Sequence, residues 1–426
     1  MFLLLFDVDL LPRAIEPTLV SLIESSPVVI LEGGRASGKS TVCDRLIERF
    51  RWSRRVDLSD SQTLDLLRLD SERFLGAQPS PCFVDEAQLE PAITVAVKRI
   101  VDRTGQAGQF VLTGSARLGR HGLGGSDPLA GRAVRIRLQS LTQSELERRP
   151  TEFIERAFGS GWDTSTPAVL ALPALSASPR NAWLGGLPGV SGVLEGVLAP
   201  TWEREIAGYV EGVIPLGVAG TRADLGRLLR TFRYFASNSG QLLNLARAAS
   251  ELSMQAATVR NQLEELEGCF LLQRVEAHRP AEHRVVTAHP RVFASDPGLA
   301  YWAARGWATE PNAALRGSLL ETVVAHDVSA AAEASPDRIV TRHWRDNRNT
   351  REVDLMLVHP DGRLVAIEVK AATVVGPRDT VGLQAFANEV GTLCHRGIVV
   401  YEGQRILDLT PPGSKTQLVA IPRTLL

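Results

Sequence analysis

The chain has 426 residues, 44% hydrophobic and 22% charged, with a formal net charge of −1, a composition ordinary for a globular protein. That length asks for two or three domains. The near-neutral charge provides no global basic field, so a nucleic-acid partner would need a local patch. Four cysteines, Cys43, Cys82, Cys269 and Cys394, stand far apart with no CxxC pair, as expected for buried reduced thiols rather than a disulfide framework.

In chain order, the apolar run Phe2–Phe6 is followed at once by Asp7 and Asp9 and has no basic residues before it, which argues against a secretory signal. No stretch is long and apolar enough to span a bilayer. The least charged region, residues 164–200, is interrupted by Pro167, Pro173, Pro179 and Pro188. The expectation is a cytoplasmic protein without membrane contact.

Residues 28–31 read Val-Val-Ile-Leu, a β-branched run typical of a buried parallel strand. Gly33, Gly34, Arg35, Ala36, Ser37, Gly38, Lys39, Ser40 and Thr41 follow, and a helical pattern comes next. This is GxxxxGK[ST] between a strand and a helix. Its backbone N–H groups and helix N-terminus suit phosphates, Lys39 reaches the β/γ oxygens, and Ser40 is placed to ligand Mg²⁺. Only four of the basic residues are lysines, Lys39, Lys98, Lys370 and Lys415. A lysine kept in so arginine-rich a chain marks a place where a guanidinium does not serve.

A second apolar run, Cys82-Phe-Val, ends in Asp85 and Glu86. Asp85 suits the metal, and Glu86 suits polarisation of the attacking water. A third run ends in Thr113, Gly114 and Ser115, where a hydroxyl at a strand's carboxyl end is a candidate sensor of the γ-phosphate. Arg117, Arg120 and Arg132 follow as alternatives for an arginine finger or sensor, acting in cis or from a neighbour. The catalytic set is thus Lys39, Glu86, Ser115 and Arg132, with Ser40 and Asp85 at the metal.

The segments Leu-Pro-Arg13, Glu32 to Thr41, Phe83 to Gln88, Leu112 to Ala116 and Leu129 to Arg132 occur in this order. Together they resemble the bacterial and archaeal AAA-type ATPases that carry a C-terminal winged-helix and PD-(D/E)xK nuclease-like domain of unknown function. The resemblance covers nearly the whole chain and is most specific over residues 10–150. Gly34 departs from it, since relatives more often have proline there. It implies ATP and Mg²⁺ as cofactors.

Residues 151–223 read as a partly helical connector. From Asp224 the pattern is an amphipathic helix over Leu225–Phe235, a helix and turn over Leu242–Ser253, and a second helix capped by Ser253. A β pair at Phe270–Val275 and Arg284–Val286 completes a winged helix. Arg260, Asn261 and Arg274 are its candidates for DNA contact, but Glu264, Glu265 and Glu267 crowd the same helix and favour packing against a neighbour. In the last segment Glu321 lies on a helix, Asp354 near the start of a strand, and Glu368-Val-Lys370 on the next strand. Alternation puts Glu368 and Lys370 on one face. Asp…ExK on adjacent strands is the arrangement of PD-(D/E)xK nucleases, in which carboxylates hold Mg²⁺ and the lysine steers water.

The expected fold is α/β: a doubly wound P-loop domain (residues 1–150), the connector (151–223), a winged helix (224–300) and a restriction-endonuclease-like domain (301–426). The expected function is Mg-dependent ATP hydrolysis coupled to the C-terminal effector. The alternative is a nucleotide-dependent switch, or a DNA- or protein-binding module, with little turnover and an inactive nuclease-like domain. Nucleic acid, a protein partner and a second copy of the chain are the candidate partners.

Overall fold

The computed structural model describes residues 11–50, 53–116, 118, 127–164, 182–190, 192–193, 199–217, 224–278, 289–304, 313–346, 348 and 350–426. The run Phe2–Phe6, Arg117, Arg120, the three prolines Pro167, Pro173 and Pro179, and Arg284–Val286 lie outside the described residues.

The first sheet contains β1 (Val28–Glu32), β2 (Arg54–Asp57), β3 (Cys82–Asp85), β4 (Phe110–Gly114) and β5 (Ala133–Arg137). All its ladders are parallel, in the order β2-β3-β4-β1-β5. The runs Val-Val-Ile-Leu and Phe-Val-Leu-Thr are buried on both faces because helices cover both. Val28, Ile30, Val84 and Leu112 pack on one face against α5 (Ile93–Thr104), through Ile93, Val97 and Ile100. Val29, Leu31, Phe83 and Val111 pack on the other against α1 (Glu16–Ser25) and α2 (Lys39–Arg49), through Leu19, Val42 and Leu46. Two short helices, α3 (Ser61–Leu69) and α4 (Ser71–Gly76), lie between β2 and β3. The crossovers bring the carboxyl ends of the strands to one edge, where ligands of such sheets bind.

Beyond β5, α6 (Gln143–Leu146) starts with a capping box between Thr142 and Glu145. The region read as a connector is divided between two cores. Phe153, Ile154, Ala157 and Phe158, on α7 (Phe153–Phe158), and Trp162 pack into the C-terminal sheet. Trp183, Leu184 and α8 (Trp202–Gly217) share a core with the helices that follow. The reason lies in composition: the two stretches carry large aromatic and branched side chains, and burying them outweighs the freedom a linker would retain.

Those helices are α9 (Leu225–Ser237), α10 (Leu245–Leu252) and α11 (Ala256–Gly268), followed by an antiparallel ladder of β6 (Leu272–Val275) and β7 (Arg291–Ala294). Ser253 does not cap α11 as expected. At φ 54° it closes α10 in the left-handed conformation, and Gln255 stands at the N-cap of α11 without a side-chain bond. A serine can stop one helix or start the next, and the tight turn of Ser253 and Met254 selects the former. Asp296 then caps α12 (Pro297–Ala303) by accepting the Gly298 N–H.

The chain ends in α13 (Ala313–Ala334), β8 (Val340–Arg345), β9 (Glu352–Val358), β10 (Leu364–Lys370), α14 (Val381–Val390), β11 (Cys394–Tyr401), β12 (Leu407–Asp408) and β13 (Gln417–Pro422). Their sheet runs β12-β13-β11-β10-β9-β8. β8, β9 and β10 form an antiparallel meander, and β11 pairs parallel to both β10 and β13. Val324 and Val328 of α13, with Phe153 and Phe158, cover one face, while Leu383 and Phe386 of α14 cover the other. Among the described residues no helix is long and apolar enough to cross a membrane, and all four cysteines are buried free thiols.

Candidate functional site

β1 delivers the chain into the glycine loop at the carboxyl edge of the first sheet. A Cβ on Gly33 would lie 2.3 Å from the Leu138 carbonyl oxygen, so no side chain fits there. Gly38 adopts φ 96° at the N-cap of α2, a conformation glycine takes without strain. Between them, the Ser37 hydroxyl is buried without a hydrogen-bond partner among the described residues. Ser40 and Thr41 open α2, while Arg35 and Ala36 are exposed at the loop's crown. The buried Lys39 ammonium donates to the carbonyls of Gly33 (3.0 Å) and Gly34 (2.8 Å). Burial lowers the Lys39 pKa, an effect opposed by the nearby Glu86 and Asp85.

Asp85 and Glu86 end β3 on the same edge. Asp85 is buried and accepts the Thr113 hydroxyl, and Arg55 of β2 lies 3.6 Å from its other oxygen. Thr113 also accepts the Glu86 N–H at 3.2 Å, so of the two strand-end hydroxyls Thr113 holds Asp85 and Ser115 meets the Glu86 carboxylate. Glu86 adopts φ 55° and accepts from the Ser115 hydroxyl at 3.1 Å. The Gln88 amide donates both to the Glu86 carboxylate and, at 3.0 Å, to Ser115. Gln88 and Arg55 were not singled out from the sequence, although Gln88 belongs to the segment Phe83 to Gln88 that carried the resemblance.

Arg132 is not brought to this edge. It stands just before β5, whose first residue pairs with Val28 at the start of β1. Five residues of strand put it about 16 Å from the loop. It is paired with Asp102 at the end of α5. The cause is topological: a residue preceding a parallel strand lies at the strand's amino end.

A buried arginine ties the loop to the rest of the protein. Arg13 donates to the carbonyls of Ser37 (2.7 Å) and Gln139 (2.7 Å) and pairs with Glu145 at 3.1 Å. Next to Gln139, the Ser140 hydroxyl donates to Asp296 at 2.6 Å and meets His326 Nε2 at 2.9 Å, while His326 Nδ1 meets Asp327 at 2.9 Å. Burial works against charge on His326, but the bond to Asp327, with Asp296 and Glu145 nearby, leaves its pKa raised. On the opposite side of the loop, Tyr209 of α8 donates to the Arg35 carbonyl at 3.0 Å. Tyr209 of α8 thus reaches the glycine loop directly, Glu145 of α6 through Arg13, and His326 of α13 more remotely through Ser140 and Arg13.

The C-terminal acids lie where α13, β9 and β10 converge. Lys370 Nζ meets Glu368 Oε1 at 2.7 Å on one face of β10, and Asp354 accepts the Val369 N–H at 2.9 Å. Burial and the neighbouring Asp354 push Glu321 up to about 8 and Glu368 up to about 7. These carboxylates do not form a metal cage: among the described residues no group of three or more His, Cys, Asp or Glu is arranged to hold an ion. Instead Arg291 of β7, a residue not anticipated from the sequence, stands 3.4 Å from Glu321, 3.1 Å from Glu352 and 3.4 Å from Asp354. Its guanidinium supplies the positive charge that an ion was expected to bring.

Of the residues considered for DNA contact, Arg260 and Asn261 are exposed on α11. Arg274 is held by Glu267 through two bonds of 2.7 and 2.5 Å and does not face outward as a free cation. A bidentate pair of this kind outcompetes solvent.

Residues 25–147 match the family described as an AAA domain, so the first domain is an AAA-type P-loop domain. Residues 216–310 and 316–423 match two families described as domains of unknown function, DUF8612 and DUF4143. Uncharacterized proteins of Mycobacterium bovis and Mycobacterium tuberculosis are each 26% identical to the chain over 355 residues, covering 82% of it and 71% of their own length. Among solved structures, a Walker-type ATPase of Pyrococcus abyssi aligns with 70% of the chain and 97% of its own. Its sequence identity is 15% and its TM-score 0.42.

Proposed function

We propose that the chain binds and hydrolyses Mg-ATP at the P-loop and passes the nucleotide state to its helical and C-terminal parts. The observation that carries this reading is the placement of Lys39, Ser40, Asp85 and Glu86 on one sheet edge beside a glycine cradle with an unpartnered Ser37 hydroxyl. Lys39 would exchange its two carbonyl partners for β/γ-phosphate oxygens, and the N–H groups of the loop and of α2 would take the rest. Ser40 and Asp85 would hold Mg²⁺, which supplies charge neutralisation at the phosphates when bound. Glu86 would orient the attacking water, with Ser115 and Gln88 fixing its carboxylate.

The C-terminal topology supports a restriction-endonuclease-like reading, because a helix, an antiparallel meander, a second helix and a parallel strand follow in that order. The helices α9 to α11 with the β6–β7 ladder support the winged-helix reading. Two observations favour a regulatory or binding role for these parts over cleavage. Arg291 stands among the acids, and Arg274 is sequestered by Glu267. A protein partner therefore fits this reading better than DNA. Arg132 would meet a nucleotide only if a second copy of the chain brought it there, so turnover by a monomer would exclude it from catalysis.

The test is Mg-dependent ATP turnover by the wild type and by Lys39→Ala, with and without linear DNA. Turnover lost in the variant supports the reading. A wild type that neither binds nor hydrolyses ATP overturns it. DNA cutting that depends on Glu368 would restore the nuclease as the effector.

A further inference from the structure

Arg291 is 5% exposed and sits on β7, whose Val292 and Ala294 join the helical core and whose Phe293 joins the core of the sheet that carries the acids. β7 is fixed on both sides: Arg291 pairs with Val275 in the ladder and bridges to Leu242. Nη1 donates to the Gly240 carbonyl at 3.1 Å and lies 3.4 Å from Glu321, while Nη2 lies between Glu352 and Asp354. Nearby, Arg345 approaches Glu352 at 3.9 Å and Lys370 holds Glu368. Four carboxylates therefore face three cations. The second oxygen of Glu368 is buried without a hydrogen-bond partner among the described residues. A cavity of about 590 Å³, lined among others by Asn244, Arg247, Glu321, Arg345 and Glu352, opens onto the guanidinium.

A hard divalent ion needs carboxylate oxygens at roughly 2.0–2.6 Å. An ion that close to both Glu321 Oε2 and Asp354 Oδ1 would press against Nη1 and Nη2, which lie 3.4 Å from the same atoms. Two cations cannot share that space.

We propose that Arg291 is a built-in competitor of divalent cations for the Glu321–Asp354 cluster, so that docked β7 and a metal ion exclude one another. While β7 is docked, the acids serve as an interdomain latch for a guanidinium. Only withdrawal of β7 converts them into a site that takes an ion such as Mn²⁺. The proposal concerns this cluster alone and is independent of ATP turnover at Lys39, so failure of either reading leaves the other standing.

The experiment titrates Mn²⁺, without nucleotide, into the full-length wild type, D354N, R291M and R291M/D354N, following free Mn²⁺ by electron paramagnetic resonance. Circular dichroism and a cooperative thermal melt of each protein report that it is folded. The wild type should show no Mn²⁺ site that D354N removes. R291M should gain one site, at least about 100-fold tighter than any wild-type binding there and lost in R291M/D354N. That factor uses only part of the repulsion between a guanidinium and a divalent ion about 4 Å apart. A wild-type site abolished by D354N, or a folded R291M protein that gains no site, overturns the proposal. If R291M does not fold, R291M/E352Q, which removes one carboxylate together with the cation, takes its place under the same criteria.

Discussion

Replacing Arg13 by alanine should damage stability and nucleotide binding together. Arg13 is 8% exposed, and its guanidinium donates to the Ser37 and Gln139 carbonyls at 2.7 Å each and pairs with Glu145 at 3.1 Å. Glu145 would keep two partners, the N–H groups of Ala14 (2.8 Å) and Thr142 (3.0 Å), so it would not be stranded as a bare buried charge. The two carbonyls would lose their charged donor. Breaking a buried pair costs about 3–5 kcal/mol when the remaining charge has nothing else, and a hydrogen bond to a charged group contributes about 1.5–3 kcal/mol. With Glu145 half-satisfied, we expect Arg13→Ala to cost about 3–4 kcal/mol, a large fraction of the roughly 5–15 kcal/mol that holds a domain together. Because one of the bonds anchors Ser37 in the glycine loop, ATP affinity should fall as well. Urea denaturation measures the first effect and fluorescent-nucleotide titration the second. Arg13→Lys should recover the charge but not the fork, leaving a deficit of about 1–2 kcal/mol. A loss below about 1 kcal/mol in Arg13→Ala, with ATP affinity unchanged, would refute the argument, because a loss that small is typical of an exposed ion pair.

Glu86→Gln should keep ATP bound while lowering turnover about 10²–10⁴-fold. Gln88→Ala should lower kcat by a smaller factor with little change in KM, since among the described residues the Gln88 side chain bonds Glu86 and Ser115 and no residue of the glycine loop; single-turnover and steady-state rates check both. Gly33→Ala should abolish ATP binding, because its Cβ would fall 2.3 Å from a backbone oxygen that cannot move aside; equilibrium dialysis decides this. The raised His326 pKa gives a pH dependence of known sign. A histidine whose folded pKa exceeds its unfolded one, near 6.5, stabilises fully below that value and loses the contribution as pH rises through the folded pKa. Calorimetric stability should therefore decline above pH 6.5, and His326→Gln should flatten that slope. A wild-type profile rising through this range would sink the assignment.

The nucleotide edge was legible because its chemistry is local. Strand, glycine loop, lysine and helix are contiguous, and the apolar run ending in Asp85 and Glu86, ambiguous alone, takes its meaning from the glycine loop that precedes it. The strands carrying Asp354, Glu368 and Lys370 were legible for the same reason, through alternation. Arg291 was not, because it joins three acids from 30 to 63 positions away, and one arginine among many carries no local signature. Ser140, Asp296 and His326 were hidden likewise, as buried polar residues that meet across 156 and 186 positions of sequence. That Arg132 stands away from its own chain's glycine loop was not legible, because motif order says nothing about which end of a strand a residue occupies. Ser253 was misread because capping chemistry alone does not tell the end of one helix from the start of the next.

The division of the 151–217 region between two cores has a consequence for how the protein can be taken apart. Phe153, Phe158 and Trp162 fill the face of the C-terminal sheet, while Trp202 and Val210 fill the helical module that comes before that sheet in the chain. The polypeptide thus visits its last domain before building its middle one. A fragment cut at residue 301 would leave a bare apolar face, and a fragment ending at residue 150 would lose the Asp296 and His326 that Ser140 engages. Excision and domain transplantation along such a chain should follow its packing, joining residues 153–162 to residues 313–426 even though some 150 positions separate them.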